Sequence, residues 1–459
     1  MIYLGCLEYF HNRPSEYGQT HCRRSGDSDL KIKSIETIRL DEFPAIIWIQ
    51  VKTDSGHVGL GETFFGPRAV AGCVHEMFAP MLIGKNPLSI ERHWRDMFDM
   101  ANAYGYAGAE SRAISAIDIA LWDIAGQVAG QPIYNMLGGA CRDRVRTYNT
   151  TGQYGNNRDM EMAIVDAGTL AKSLLDDGIT AMKWAFTDHF ADLTRGTYIS
   201  KEDLKLLIRP VEDIRSAVGD RMEVANDGHG RWNLNSAIKI GKAMDHLDMM
   251  WQEELIQPTN VDSHLRLADE IDAPVCVSER LISKYQFREY LKAGAAEVVM
   301  PDLIWTGGIT ETKKICTMAE AEQRPVAPHD MTGPVNVFAC AHISMNAPNV
   351  FLMETCRAFY GKDGWYDSIV ETNIKVEGGY LLAPEGPGLG TRLRKDLLDR
   401  PDLSIEVTDE PGHHYHWGGH ESPMFEVTGD LGARRVRMRD SWNGADPDMV
   451  SNPKNTQTR

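Results

Sequence analysis

The chain has 459 residues, 42% hydrophobic and 25% charged, the profile of an ordinary soluble protein long enough for a large core and more than one domain. Its formal charge of -17 argues against a nucleic-acid-binding surface and against docking on anionic membranes, while a divalent cation and a few bases would still admit a small anionic substrate. No apolar run is long enough to span a bilayer, the N-terminus lacks the pattern of a secretory signal, and the 8 cysteines are scattered without a CxxC pair, so a reducing, cytoplasmic setting is expected.

Residues 1–30 are polar and without period, an irregular arm. From Ile32 the segments IKSIETIRL, AIIWIQVKTDSG and HVGLGETFF predict an antiparallel meander with a turn at Asp54-Ser55-Gly56. Helices are expected over 69–82, 89–100 and 111–129. In the last, Ile114, Ile117, Ala120, Leu121 and Ile124 keep helical spacing, as a helix packed on a core requires. Residues 31–144 thus form an α+β unit, distinct from the alternating region C-terminal to it.

Strand-helix alternation begins at Val145 with VRTYNT, a helix over 160–177 and the strand AMKWAF, which carries Lys183. A polar insert precedes the helix at 201–218. Six short apolar runs come next: MEVAND, MMWQEE, VCVSE, VVMPD, RPVAPH and FLMET. They end in Asp227, Glu253, Glu279, Asp302, His329 and Glu354, at intervals of 23 to 27 residues, the length of one strand, one helix and two short connections. Helices are expected between them near 236–246, 263–271, 284–293, 308–322 and 334–345. Eight strands alternating with helices predict an α/β fold, a (β/α)8-type TIM-like barrel over 145–364. An open doubly wound sheet competes, yet it seldom places chemistry on so many consecutive strands, and no GxGxxG opens the region.

Residues 365–404, with the turn-rich IKVEGGYLLAPEGPGLG, are expected to return to the first domain. Residues 405–459 have the character of a polar tail. The histidines of HHYHWGGH at 413–420 lack an acidic or Cys partner at fixed spacing, so a solvated or subunit-contacting tail is favoured over a metal site. Cys276 and Cys340 lie in apolar runs and suit core filling.

In a parallel barrel the active site lies at the C-terminal ends of the strands. Asp227, Glu253 and Glu279 end three adjacent strands, where their charges repel unless a cation lies between them. Hard oxygen ligands without Cys or His select Mg²⁺. A single carboxylate at a strand end is more often a cap or an ion-pair member; three in succession at matched spacing favour the metal. Asp302 beside His329 makes a general base, the alternative being a buried histidine satisfied by its neighbour. Lys183 and Glu354 lie across from one another, able to neutralise or hydrogen-bond an oxyanion.

These residues resemble the enolase superfamily, mandelate racemase subgroup, over about residues 31 to 400. The supporting pieces are IALWDIAGQVAGQPIYNMLGG, WQEE and PGLG, beside the strand-end residues themselves. The resemblance implies an α+β capping domain on the barrel, Asp227, Glu253 and Glu279 as Mg²⁺ ligands, the Asp302/His329 dyad as base and Glu354 on the eighth strand. Many members carry Lys-x-Lys on the second strand, the second Lys being a base on the opposite face. Here the triplet is Lys183-Trp184-Ala185, which favours one-base chemistry. In Asp227-Gly228-His229-Gly230-Arg231, strand alternation points His229 into the cavity beside Asp227. This pattern is similar to that of galactonate dehydratase-type sugar acid dehydratases, where the His is the general acid; a purely positioning His229 is the alternative.

The implied function is a Mg²⁺-dependent sugar acid dehydratase. His329 abstracts the C2 proton, Lys183 and the metal stabilise the enediolate, His229 protonates the departing 3-hydroxyl, and Arg231 contacts substrate or, equally, forms a salt bridge at the rim. Rival readings are a cycloisomerase or one-face epimerase of the same superfamily, and an inactive binding protein on the same fold. A homo-oligomer is expected, with substrate choice set by capping loops near 15–31 and 63–76.

Overall fold

The computed structural model describes residues 30–412 apart from residue 104, and the backbone of 426–428 and 435–437. The expected arm, the 15–29 part of the first capping loop and the histidines of 413–420 lie outside the described residues.

The capping domain is built on strands Ile32–Leu40, Ile46–Thr53 and Val58–Phe64, an antiparallel meander. Helix Ala109–Ala129 lies directly on this sheet. A Cβ at Gly59 or Gly61 would stand 2.0 or 1.9 Å from the carbonyl oxygens of Ala120 or Ala116, so only glycine permits that approach. A fourth strand, Leu403–Thr408, pairs antiparallel with the first. The polar tail expected from residue 405 therefore starts inside a strand. Leu403, Ile405 and Val407 alternate with polar residues as a strand requires, a period too short to stand out beside its acidic neighbours.

The barrel strands are Arg144–Thr150, Ala181–Trp184, Glu223–Asp227, Trp251–Glu253, Val275–Val277, Val298–Val299 and Met353–Thr355, each parallel to its neighbour where they pair in succession. The seventh position is held by single parallel bridges, Val299 to Val326, Asp302 to His329 and Val326 to Val350. The last strand closes the ring on the first, with Met353 opposite Thr147. Tyr148, Ala181, Ala225, Trp251, Cys276 and Met300 fill the interior, so the barrel is a packed core with its chemistry at one end. Among the described residues no helix is long and apolar enough to cross a membrane.

Several elements differ from the expected ones. The helix over 160–177 breaks at Asp166, whose side chain accepts from Thr169 N at 3.2 Å and caps a new start. The helix over 69–82 contains a π-helical turn, Cys73–Phe78. The polar insert holds a short helix, Asp188–Thr194. Segment 365–404 first lays a hairpin, Val376–Glu377 and Tyr380–Leu382, antiparallel on the first barrel strand. Only afterwards does the chain reach the capping sheet.

Three buried carboxylates of the capping domain accept backbone N–H groups across the junction. Glu62 takes Val335 and Asn336 at 3.3 and 3.2 Å, Asp118 takes Thr310 at 3.0 Å, and Asp123 takes Leu389 at 2.9 Å. Burial pushes each up to about 7 despite these bonds. Gly388 of the PGLG segment has φ +67, and a Cβ there would stand 2.0 Å from Asp123 Oδ1. Gly388→Ala is therefore expected to destabilise the protein by on the order of 3 kcal/mol through backbone strain and overpacking. A lowered urea midpoint at unchanged slope would report it.

Candidate active site

Lys183 stands at the centre of the strand ends. Its Nζ lies 3.0 and 2.9 Å from the two oxygens of Glu253, 3.0 Å from Glu354 Oε1 and 3.7 Å from Asp227 Oδ2. Burial alone would lower its pKa, but Glu253 and Glu354 outweigh this and hold it well above its ordinary value. Lys183 is thus a fixed cation, suited to stabilising an anion and not to acting as a base. Burial raises Glu253 to about 7 against the opposing pull of Lys183.

Ser278 Oγ bridges two carboxylates, lying 2.8 Å from Glu253 Oε1 and 2.5 Å from Glu279 Oε2, with one proton to donate to either. Arg280 pairs with Glu279 at 2.7 Å and with Glu254, whose φ of +39 marks a strained turn beside the site. Burial would raise Glu279, yet His329 and Arg280 bring it down to about 2.

His329 and Asp302 meet at the sixth and seventh strand ends. His329 Nδ1 donates to Asp302 Oδ2 at 2.8 Å, and Asp302 Oδ1 accepts from Ile304 N at 2.8 Å, which locks the carboxylate. His329 Nε2 then faces Glu354 Oε2 at 3.8 Å. Glu354 is itself held by Thr150 and by Asp330 N. Burial disfavours the charged imidazole, but Glu354, Glu279 and Asp302 raise His329 well above its ordinary value.

His229 reaches the site by a different route from strand alternation. The strand ends at Asp227, and His229 sits in the turn beyond it with φ +46. Its N–H donates to Asp227 Oδ1 at 2.9 Å, and its ring spans Asp188 Oδ2 at 2.7 Å and Asp227 Oδ2 at 3.2 Å. Burial lowers its pKa, while Asp227 and Asp188 raise it, the net being about 9. Arg231 turns to Asp192 Oδ1 at 2.9 Å, an ion pair at the rim.

Barrel and capping domain share a wall beside the base. Trp305 lies 5.8 Å from the His329 ring, with the Arg112 guanidinium 4.8 Å over its face and Phe65, from the loop near 63–76, 5.8 Å away. Phe65 is half exposed in a left-handed turn. Thr150, Asp188, Ser278, Arg280 and Trp305 are site residues that the strand-end series does not single out. Ser278 and Arg280 flank Glu279 in VCVSER and are visible there; the others depend on tertiary contacts.

Asp227 and Glu253 share Lys183, and Glu253 and Glu279 share Ser278, but among the described residues no three His, Cys, Asp or Glu side chains are gathered as a ready metal cage. The carboxylates turn instead to Lys183, Ser278, Arg280 and His229. The donor set still fits a hard divalent cation: three buried carboxylates on adjacent strands, two within reach of one serine hydroxyl, whose mutual repulsion contributes to raising Glu253.

Residues 34–138 match the mandelate racemase / muconate lactonizing enzyme N-terminal domain, and residues 166–397 match the enolase C-terminal domain-like family. A D-galactonate dehydratase from Ralstonia nicotianae is 32% identical over 377 residues, covering 80% of this chain and 94% of that protein. A D-xylonate dehydratase from Haloferax volcanii is 30% identical over 381 residues, covering 82% and 90%. Among solved structures, an enolase of the mandelate racemase subgroup from Agrobacterium tumefaciens is 42% identical with a TM-score of 0.75, covering 83% of this chain and 99% of that one. With both domain matches on one capped (β/α)8 barrel, the chain belongs to the mandelate racemase / muconate lactonizing enzyme family of the enolase superfamily.

Proposed function

We propose that the protein is a Mg²⁺-dependent sugar acid dehydratase of the cytoplasm. The observation that carries this reading is a continuous run of contacts, His329 to Glu354 to Lys183 to Asp227 to His229, at 3.8, 3.0, 3.7 and 3.2 Å. It sets a carboxylate-held imidazole at each end of a cationic centre, as removal of a proton and of a hydroxyl from adjacent carbons requires. The dehydratase names of the relatives that match along most of the chain agree with it.

Asp227, Glu253 and Glu279 would hold the Mg²⁺, which when bound stabilises negative charge on the substrate carboxylate. Lys183 contributes a fixed positive charge to the same oxyanion. His329 Nε2 takes the C2 proton, its ring held by Asp302. His229 Nε2 returns a proton to the 3-hydroxyl as it leaves, and the enol tautomerises to a 2-keto-3-deoxy acid. Ala185 stands in place of a second lysine, so this scheme uses His329 as its one base. Arg231 pairs with Asp192 at the rim, and its part in this scheme is that ion pair or a contact to substrate.

A panel of aldonic and other acid sugars with Mg²⁺ tests this reading, with formation of a 2-keto-3-deoxy acid as the expected result. Chelation should lower turnover by roughly 10³-fold, the equivalent of several kcal/mol of charge stabilisation, and added Mg²⁺ should restore it. Absence of any keto acid product across the panel would remove the dehydratase reading.

A further inference from the structure

The insert after the second barrel strand carries the helix Asp188–Thr194 and is fastened to the turn that bears His229. Gly196, at φ +66, packs so closely that a Cβ would lie 1.7 Å from Arg231 O. Asn233 N donates to Gly196 O at 2.9 Å, Asn233 Nδ2 to Thr197 O at 2.7 Å, and Arg231 to Asp188 O at 3.2 Å. The turn is strained, since a left-handed residue other than glycine persists only where its surroundings fix it. His229 is such a residue, with φ +46.

Asp188 Oδ2 lies 2.7 Å from His229 Nδ1. A carboxylate only accepts, so Nδ1 donates to Asp188, and this contact orients the ring with Nε2 directed at Asp227 Oδ2, 3.2 Å away. Arg231 does not account for Asp188: it is 3.9 Å from Asp188 Oδ2 and pairs with Asp192 at 2.9 Å. Asp188 Oδ1 is buried with no hydrogen-bond partner among the described residues, an arrangement that stability alone disfavours.

We propose that Asp188 is the positioning residue of His229, fixing its ring so that Nε2 faces the reacting hydroxyl, and that the insert exists to carry it. The active site then holds two carboxylate-imidazole pairs, Asp302 with His329 for removing the proton and Asp188 with His229 for releasing the hydroxyl. This assignment rests on the dehydratase reading only for its kinetic consequence.

The test uses the full chain with Mg²⁺ in D₂O, with D-galactonate and D-xylonate as probes, comparing wild type, Asp188→Asn and Gly196→Ala. Keto acid formation and deuterium entry at C2 of recovered substrate are measured separately, because His329 alone performs the exchange. Asp188→Asn should cut dehydration by roughly 10²-fold, as loss of an orienting partner does, while exchange stays within about threefold. Gly196→Ala should give the same split, because it shifts the insert without altering an ionisable group. Equal loss of both rates, or dehydration unchanged in Asp188→Asn, would overturn the proposal. A second readout is independent of turnover: the downfield Nδ1–H proton resonance lost in His229→Gln should also be lost in Asp188→Ala. If wild type dehydrates neither probe, that resonance decides the Asp188 assignment alone, and its persistence in Asp188→Ala would refute it.

Discussion

Asparagine at position 329 is expected to abolish both C2 proton exchange and dehydration, each falling by roughly 10²–10⁴-fold, the usual contribution of a positioned base. The side-chain amide can still donate to Asp302, so the fold should be retained and the melting temperature nearly unchanged. That outcome separates the two imidazoles, since His229→Asn should lose dehydration and keep exchange. Dehydration surviving His329→Asn with less than a tenfold loss would show that another group takes the proton. The pH profile carries a further sign. Glu354, Glu279 and Asp302 favour the protonated imidazole and hold His329 above its ordinary pKa. In the chelated protein the NMR titration of the His329 imidazole should therefore lie above an ordinary value of about 6.5. Asp302→Asn removes one of those charges and should move that titration to lower pH, while reducing the maximal rate of the enzyme supplied with Mg²⁺.

The barrel and its strand-end series were legible because a parallel βα repeat imposes a spacing that composition does not obscure. Legibility failed where local and tertiary signals diverge. Alternation along a strand would carry His229 into the cavity, but the strand stops at Asp227 and a left-handed turn brings the imidazole there. Helix Asp188–Thr194 is short and polar, and its chemical meaning depends on a contact spanning 41 residues, so no window on the sequence contains it. Asp118 and Asp123 lie within a helix whose apolar spacing marked the buried face, yet both are buried themselves, because they accept N–H groups from segments far along the chain. Arg231 stands two residues from His229 in sequence, while the insert that captures it is not visible there as an element. The hairpin over 376–382 pairs with the first barrel strand by backbone hydrogen bonding, which turn-rich composition does not specify.

Lys183→Met is expected to produce the largest change in stability. The lysine is 1% exposed and contacts Glu253, Glu354 and Asp227, all buried, so its removal leaves carboxylates without their cation. Breaking a buried pair on one side costs about 3–5 kcal/mol, and activity should vanish with it. The deficit should depend on pH in a defined direction. Glu253, already raised to about 7 by burial, shifts further upward once Lys183 is gone. A carboxyl whose folded pKa exceeds its unfolded value takes up a proton on folding, so its contribution to stability falls as pH rises through the interval between the two. The variant should therefore be closest to wild type near pH 5, where the carboxyl is neutral in the fold, and furthest from it above pH 8. Urea denaturation of the chelated protein at both pH values measures this. A deficit that is the same at both would mean that lost packing of the four-carbon stem, not uncompensated charge, is what the lysine supplies.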